Sequence, residues 1–486
     1  MDGTFGALLK KFCLEGSVLG LKYFYLYPDR ISRCFWTLTM LLTLCTACIL
    51  SLLLYYRFDE MPTRITIENQ YKSLHNLPYP AITICSPNQA TISAMDHFNK
   101  TLVDGNLTLD LKKVVSQLLR FNFGTSLLEK INTNELKYLQ DLIEANRYSA
   151  LDVMSLLPQR CDRFLKRCIF QRKIYPCNVL FDSILTQYGM CCIFNSIYYF
   201  KQKNRNERKA NFVKFKATKT GFENSLTVVT DYDPEDALEG TVLLAGSSGV
   251  MFTDWTEFPA DYEASFVHPN TESFHHLYGI YTYCSEDVLR LPVSSRKCYF
   301  TKEVTLPYFR EYHNSDCNLA CFVMEVEDQC HCTMLYVPRV NAHRACNITS
   351  LVCIANVKTQ ISKWYQRCKL CLRDCVSRRY RADLILGNLD AMEHLHFNPY
   401  TGIVFNRSTS IMHFFFPRSV YVTQKQETVI SLISLTSNLG GVFGLCLGCS
   451  FISLIEMWFY IYMAIKGFIR KQLNIRHDRQ RVGYFN

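Results

Sequence analysis

Two stretches of the chain carry no charge for long enough to cross a bilayer. The first runs from Cys34 to Tyr56, 23 residues without Asp, Glu, Lys or Arg. The second runs from Thr428 to Ile455, 28 uncharged residues, followed by Glu456 and an apolar run to Ile465. About 20 apolar residues span the hydrocarbon core. The first stretch is longer than the apolar region of a cleaved signal peptide and begins later. Between the two the pattern changes. Leu77 to Cys85 is punctuated by Pro78 and Pro80, then alternates β-branched residues, which predicts a strand that ends at a disulfide. Residues 108–156 place Leu109, Leu111, Val114, Val115, Leu118 and Leu119 at helical spacing, an amphipathic helical pair. Residues 226–300 read as β-rich, with strands expected at Leu226–Thr230, Thr241–Leu244 and Tyr281–Tyr283. The implied organisation is an N-terminal tail (1–33), a helix (34–56), a large middle domain (57–427), a second span (428–465) and a basic tail (466–486).

Composition agrees with this division. Hydrophobic residues make up 49% of 486, and Gly and Pro number only 20 and 15, so neither disorder nor a fibrous repeat fits. Mean hydropathy is near zero, the average of two spans and a large folded domain. The formal charge of +10 becomes informative by location. Residues 1–33 carry +2 and residues 457–486 carry +5, so the tails hold most of the excess. That is the positive-inside pattern, with both termini cytoplasmic. Without a basic, aromatic-interleaved face, nucleic acid is not an expected partner. The middle domain should then be extracellular. All four glycosylation sequons fall in it, at Asn99, Asn106, Asn347 and Asn406. So do 17 of the 23 cysteines, whereas Cys13, Cys34, Cys45, Cys48, Cys446 and Cys449 lie in the tail or the spans as expected thiols.

The extracellular cysteines form groups: Cys85; Cys161, Cys168, Cys177, Cys191 and Cys192; then a dense series from Cys298 to Cys375. Cys317 and Cys321 are four apart and would share one helix face. From there each could bridge to an antiparallel segment carrying Cys368 and Cys371. The alternative is a zinc site using Cys330, Cys332, Cys368 and Cys371 as ligand pairs. An oxidising compartment favours disulfides, and no metal is expected. Seventeen is odd, so at least one cysteine is left over or pairs between chains. No catalytic constellation emerges: there is no G-x-S-x-G, Walker loop or H-E-x-x-H, and the chain does not read as an enzyme. Gly246 to Gly249 reads as a turn, His394 and His396 as a surface pair, and His275-His276 as loop.

The second span is unlike an ordinary anchor. Gly440, Gly444 and Gly448 recur every four residues and would form a glycine stripe for close helix approach. Ser434, Thr436, Ser437 and Asn438 are polar at its outer end. Gly448-Cys449-Ser450 falls near mid-membrane, where a glycine break would expose carbonyl oxygens, and irregular backbone at that depth needs water or protein around it. Glu456 follows six residues on, an intramembrane carboxylate of the kind that marks function. Carbonyls, hydroxyls and a carboxylate ring suit a dehydrating cation. One such span cannot enclose a pore, so several subunits must.

These residues resemble the degenerin/epithelial sodium channel family, and most of all its arthropod pickpocket branch, over nearly the whole chain. The resemblance rests on Pro78-x-Pro80-Ala81-Ile82-Thr83-Ile84-Cys85, on Gly189-Met190-Cys191-Cys192-Ile193-Phe194-Asn195, on the Cys298–Cys375 series, and on Leu439-Gly440-Gly441 through Gly448-Cys449-Ser450. It implies a membrane α protein with two transmembrane helices per subunit and an α+β disulfide-rich extracellular domain, assembled in a trimeric channel architecture. That domain would comprise palm, finger, knuckle, β-ball and thumb, the thumb at about 298–375. The implied activity is a voltage-insensitive, amiloride-sensitive, sodium-selective channel in the plasma membrane, homotrimeric or heterotrimeric with related subunits. Na+ would be the permeant ion, and no cofactor is implied.

By position, Gly448, Cys449 and Ser450 would be the selectivity filter and Ser437 the degenerin position at the gate. Gly444 would be the amiloride-sensitive position, Gly440 and Gly441 pore-helix packing residues, and Glu456 the inner-mouth acid. The resemblance also implies Cys298–Cys375, Cys317–Cys371, Cys321–Cys368, Cys330–Cys353, Cys332–Cys346 and Cys168–Cys177, and Cys85 with Cys191 or Cys192. Two departures weigh toward a subunit that conducts in heteromers. The family's cytoplasmic His-Gly gating motif stands here as Leu19-Gly20, and its C-x-C thumb spacing as Cys368-x-x-Cys371. Two other readings are a doubly anchored receptor, which has no use for Gly448, Ser450 or Glu456, and an ATP-gated two-span channel, for which no Lys-rich nucleotide site is visible. The stimulus, whether ligand, proton or force, is not written in the sequence.

Overall fold

The computed structural model describes residues 3–18, 20–27, 29–60, 62–102, 133–200, 215–217, 219–239, 241–260, 265–338, 344–360, 368, 371–390 and 400–482. The chain divides into two compact units: residues 1–64, 285–296 and 427–486 form a membrane unit, and residues 65–284 and 297–426 form the domain between the spans.

The membrane unit begins with α1 (Gly3–Glu15), α2 (Leu21–Leu26) and α3 (Arg30–Glu60). At 31 residues α3 is about 46 Å long, more than the hydrocarbon core requires. Its large apolar residues face outward: Leu38, Leu42, Ile49 and Leu53 are all exposed, which only a lipid or partner-helix surrounding makes favourable.

The intervening domain is built on two sheets. Its strands are β1 (Thr63–Ser73), β2 (Ala81–Cys85), β3 (Leu165–Phe170), β4 (Lys173–Tyr175), β5 (Phe181–Thr186), β6 (Gly189–Phe194), β7 (Leu226–Asp231) and β8 (Ser248–Thr253). There follow β9 (Ser265–Val267), β10 (Thr271–Cys284), β11 (Cys298–Tyr299), β12 (Arg373–Asp374), β13 (Ser377–Asn388), β14 (Thr409–Phe415) and β15 (Val420–Thr428). The larger sheet has the order β1-β15-β10-β14-β7-β3-β4, with β13 also paired to β10; the smaller has the order β5-β6-β2-β8-β9. β2, β6, β7 and β14 are buried along their full lengths, as continuous β-branched and aromatic runs require. Tyr79 lies within the main core, edge-on to Phe170 and Phe194 at 5.8 Å and to Phe416 at 5.6 Å. Its hydroxyl donates to the Phe414 carbonyl at 2.7 Å, so the one polar atom on a buried ring is satisfied.

Helices flank the sheets. Of the predicted 108–156 pair, residues 108–132, with Leu109 to Leu119, lie outside the described residues. The remainder forms helix after α4 (Ile92–Thr101): α5 (Thr133–Ala145) and α6 (Ala150–Leu156), which bury Leu136, Leu139, Ile143 and Val153 in one cluster. Ser149 and Asp152 close a reciprocal capping box at the start of α6. The cysteine-rich part carries α7 (Asn314–Cys330) and α8 (Leu351–Thr359).

The disulfides follow from strand and helix geometry. Cys191 and Cys192 are neighbours on β6 and so point to opposite faces. Cys191 stands opposite Cys85 on β2 and bonds to it, while Cys192 turns to the other face and bonds Cys161. Cys168 pairs with Cys177. Cys317 and Cys321, on one face of α7, bond Cys371 and Cys368. Cys298–Cys375, Cys330–Cys353 and Cys332–Cys346 complete a nested series closing loops of 77, 23 and 14 residues. A loop of this size, closed alone, removes roughly 3–4.5 kcal/mol of unfolded-chain freedom. All four sulfurs of the zinc alternative are consumed in these bonds.

Three local expectations are corrected. Thr241–Leu244 is not a strand. The Thr241 hydroxyl donates to the Leu238 carbonyl at 2.7 Å, and Leu244 and Ala245 take φ of 46° and 54°, which no strand accommodates. Gly246–Gly249 is only half turn: Gly246 ends a 3-10 turn, and Ser248 and Gly249 open β8. His275 and His276 lie within β10, where alternation turns Ser273, His275 and Leu277 inward. His275 stacks on Phe414 at 4.6 Å, and burial holds its pKa down near 3, so it stays neutral. His394 and His396 lie outside the described residues. Of the sequons, Asn99, Asn347 and Asn406 are exposed, and Asn106 lies outside the described residues.

One carboxyl is buried at a cost. Asp316, in the first turn of α7, is fully buried; one oxygen accepts the Phe258 N–H at 3.2 Å and the other has no partner. Burial, then the Glu257 carboxylate, pushes its pKa well above the ordinary carboxyl value. A carboxyl whose pKa rises on folding favours the fold below its unfolded value and loses that contribution as pH climbs through the folded one. Asp316→Asn keeps the acceptor and abolishes the ionisation. We expect it to stabilise the protein by ~1–2 kcal/mol at pH 7.5, the cost of an unsatisfied buried group. The gain should shrink toward zero near pH 4, as read by thermal unfolding at both pH values.

Candidate functional site

The second apolar stretch forms two helices, α9 (Leu432–Leu447) and α10 (Phe451–Val482). Their apolar portions, Ile433–Leu447 and Phe451–Gly467, are bent by 74°. α9 starts at Ser431, whose hydroxyl accepts the Ser434 N–H at 3.1 Å, and it packs along α3.

The break occupies Gly448-Cys449-Ser450. Gly448 takes the left-handed conformation (φ 62°, ψ 20°), which costs glycine nothing and an L side chain about 1 kcal/mol or more. The N–H groups of Gly448 and Cys449 turn back onto the carbonyls of Gly444 at 2.9 Å and Phe443 at 3.3 Å. Ser450 then caps α10 reciprocally with Ser453. The Ser450 N–H donates to the Ser453 hydroxyl at 3.0 Å, and the Ser453 N–H to the Ser450 hydroxyl at 3.3 Å. Among the described residues, the carbonyls of Cys446, Leu447 and Gly448 receive no helical N–H from the residues that follow. The break therefore leaves helical acceptors over at the end of α9, with the Cys449 thiol 3.9 Å from the Leu447 carbonyl.

The other sequence-predicted residues distribute around it. Ser437, Gly440 and Gly441 are exposed on α9, and a Cβ added at either glycine would meet nothing within 4 Å. A Cβ on Gly444 would touch the Cys449 carbonyl oxygen at 3.7 Å, so that position lies directly behind the break. Glu456 is half-buried on α10.

The partner of Glu456 was not foreseen. Ser17, after the end of α1, donates from both its backbone N–H and its hydroxyl to the Glu456 carboxylate, each at 2.9 Å. The Ser17 hydroxyl also meets that of Ser453 at 2.6 Å. Phe12 packs edge-on against Tyr460 at 5.2 Å. Residues 453, 456 and 460 share one face of α10, and the N-terminal segment covers it. Sequence distance hid this contact, since Ser17 and Glu456 are 439 residues apart. The Ser450-x-x-Ser453 spacing was a visible signal for the cap. Gly20 holds the segment against α3: its φ is 97°, and a Cβ there would sit 2.2 Å from Met40 Sδ. Leu19 lies outside the described residues.

One unbroken span, one span broken at glycine, and a disulfide-stapled α/β domain between them define a two-span membrane protein with the layout of a channel subunit. Residues 12–460 match the family model described as amiloride-sensitive sodium channel, and the chain belongs to that family, the degenerin/epithelial sodium channel proteins. It is a family of ion channels, not of enzymes, and its members assemble as trimers. The chain is 25% identical to sodium channel protein Nach of Drosophila ananassae, covering 94% of this chain and 86% of that protein. It is 25% identical to pickpocket protein 28 of Drosophila melanogaster, over 92% and 77%. Similarity extends to human acid-sensing ion channel 2, at 22% identity over 94% and 86%.

The contact between the N-terminal segment and α10 is directly testable. Ser17→Cys with Ser453→Cys should cross-link in membranes under mild oxidation, because their hydroxyl oxygens lie 2.6 Å apart. Adding Gly20→Ala should reduce the yield severalfold, measured by the gel shift of the full-length chain.

Proposed function

We propose that this chain is a pore-forming or heteromeric subunit of a voltage-insensitive, amiloride-sensitive, sodium-selective channel of the plasma membrane, with both termini cytoplasmic. The observation that carries the proposal is the helix break at Gly448-Cys449-Ser450. A backbone that leaves the helix inside an apolar segment is tolerated where it faces water or protein. Three such breaks around a trimer axis would line a constriction with carbonyl oxygens, the ligands that replace the hydration shell of a small cation.

Gly448, Cys449 and Ser450 form the filter in this reading. Ser450 closes the filter as the cap of α10: its hydroxyl and N–H are engaged with Ser453 and its carbonyl accepts the Leu454 N–H at 3.4 Å, so the carbonyls offered to the ion are those before it. Glu456 supplies negative charge below the filter, oriented by Ser17. Ser437, nearly three turns before the end of α9, is the gate position, where a bulkier side chain would prevent closure. Gly444, one turn before Gly448, is the amiloride position. Asn99, Asn106, Asn347 and Asn406 are the glycosylation sites on the extracellular side.

Two recordings decide this reading. Ser437→Val or Ser437→Cys, expressed alone or with related subunits, should raise an amiloride-sensitive Na+ current several-fold over the wild type. A surface-expressed variant that carries no current in any combination would remove the conducting role. Gly448→Leu should abolish permeation or Na+ selectivity while leaving surface expression intact. A doubly anchored receptor would tolerate that change.

A further inference from the structure

Of the 17 cysteines between the spans, 16 are in disulfides, and Cys284 remains a thiol. It is the last residue of β10 and is partly exposed. Its position beside the outermost disulfide of the nested series is specific. The sulfurs of Cys284, Cys298 and Cys375 all lie within 4.8 Å of one another, and Cys298 and Cys375 are themselves bonded. The Cys284 thiol donates to the Cys375 carbonyl at 3.1 Å. The sulfurs of Cys284 and Cys298 stand 3.6 and 3.7 Å from one atom, Oε1 of Gln426, the β15 residue paired with Cys284 in the sheet. A thiolate at Cys284 and the Arg373 guanidinium attract each other, and Arg373 is the β12 partner of Cys298. A partly exposed thiol held against a disulfide and beside a cation has the proximity and access that exchange requires.

We propose that Cys284, Cys298 and Cys375 form a thiol–disulfide exchange site, in which the outermost disulfide of the nested series migrates between partners. The Cys284 thiolate attacks Sγ of Cys298. The Cys284–Cys298 bond forms, the Cys298–Cys375 bond breaks, and its electron pair leaves on Cys375, which takes up the proton that Cys284 gave up. Attack at Cys375 balances in the same way and releases Cys298. One disulfide and one thiol exist before and after, so neither oxidant nor reductant is consumed. The consequence lies in loop size. Cys298–Cys375 ties residues 77 apart and joins β11 to the returning chain. A Cys284–Cys298 bond ties residues only 14 apart, closing the connection between β10 and β11, and leaves the returning chain untied at Cys375. The site would also present one thiol to extracellular thiol-reactive species at a single address.

Disulfide mapping of the full-length protein tests this without reductant. The membrane-purified chain is held at pH 8, blocked with N-ethylmaleimide, digested and analysed by mass spectrometry. The expected result is two species: Cys298–Cys375 with the label on Cys284, and a Cys284-linked form with the label on Cys375 or Cys298. Cys284→Ser should retain Cys298–Cys375, reach the surface, and show no label on Cys298 or Cys375. Label confined to Cys284 after overnight incubation of the wild type would overturn the proposal. Equal label on Cys375 in Cys284→Ser would overturn it as well, because the bond would then open without Cys284.

Discussion

The constraint on which the membrane segments depend is the accounting of backbone hydrogen bonds where water is scarce. A continuous helix meets it by itself, as α3 does across its 31 residues. The second stretch gives up that solution at Gly448 and must replace it locally. It does so with a left-handed glycine, two N–H groups turned back on Phe443 and Gly444, and a serine pair that caps the next helix from both sides. What it leaves over includes the carbonyl oxygens at the end of α9. The same economy explains Glu456. A carboxylate on an apolar helix needs donors, and Ser17 supplies two from the far end of the chain. The break, the cap and the carboxylate are thus one local solution spread over the nine residues Gly448–Glu456 and one residue of the N-terminal segment.

The domain between the spans is organised by a different constraint, the two-residue alternation of strands. Cys191 and Cys192 serve two different disulfides because adjacent strand residues face opposite sides, and each bond joins a different hydrophobic cluster. Tyr79 shows the same economy with polar atoms: its ring contributes to the core while its hydroxyl completes a strand carbonyl. Beyond the sheets, the nested disulfides add to the packing. α7 and α8 bury Phe322, Val323, Val326, Ile354 and Val357 in one hydrophobic cluster, and five bonds fix that region in addition.

Much of this was legible in the residues, and the reasons for the rest are specific. Charge-free length identified both spans, and Gly448 in mid-span marked the break, because few other residues end a helix there. Helical spacing placed Cys317 and Cys321 on one face. By contrast, Cys191 and Cys192 left two partners open for Cys85, since only strand register decides which of two neighbours points where. Thr241–Leu244 carries strand-forming residues but closes a turn, because side-chain to backbone bonds outcompeted propensity. His275 looked like a loop residue by composition. Its burial depends on Phe414, a residue far along the chain that no local window includes. Ser17 was invisible for the same reason.

β10 is 14 residues long and runs parallel to two strands in turn, to β14 through Glu272–His276 and to β15 through Ile280–Cys284. β15 continues within a few residues into α9. Tension applied along β15 would act parallel to its strand axis and so across its hydrogen bonds to β10. In that direction the bonds resist as a group, as in a lap joint under shear, rather than opening one after another like a zipper. β10 then hands the load to β14 at its other end. The shared strand makes the sheet stiff along β15, so displacement at one end of that strand would be delivered to the other with little lost to stretching.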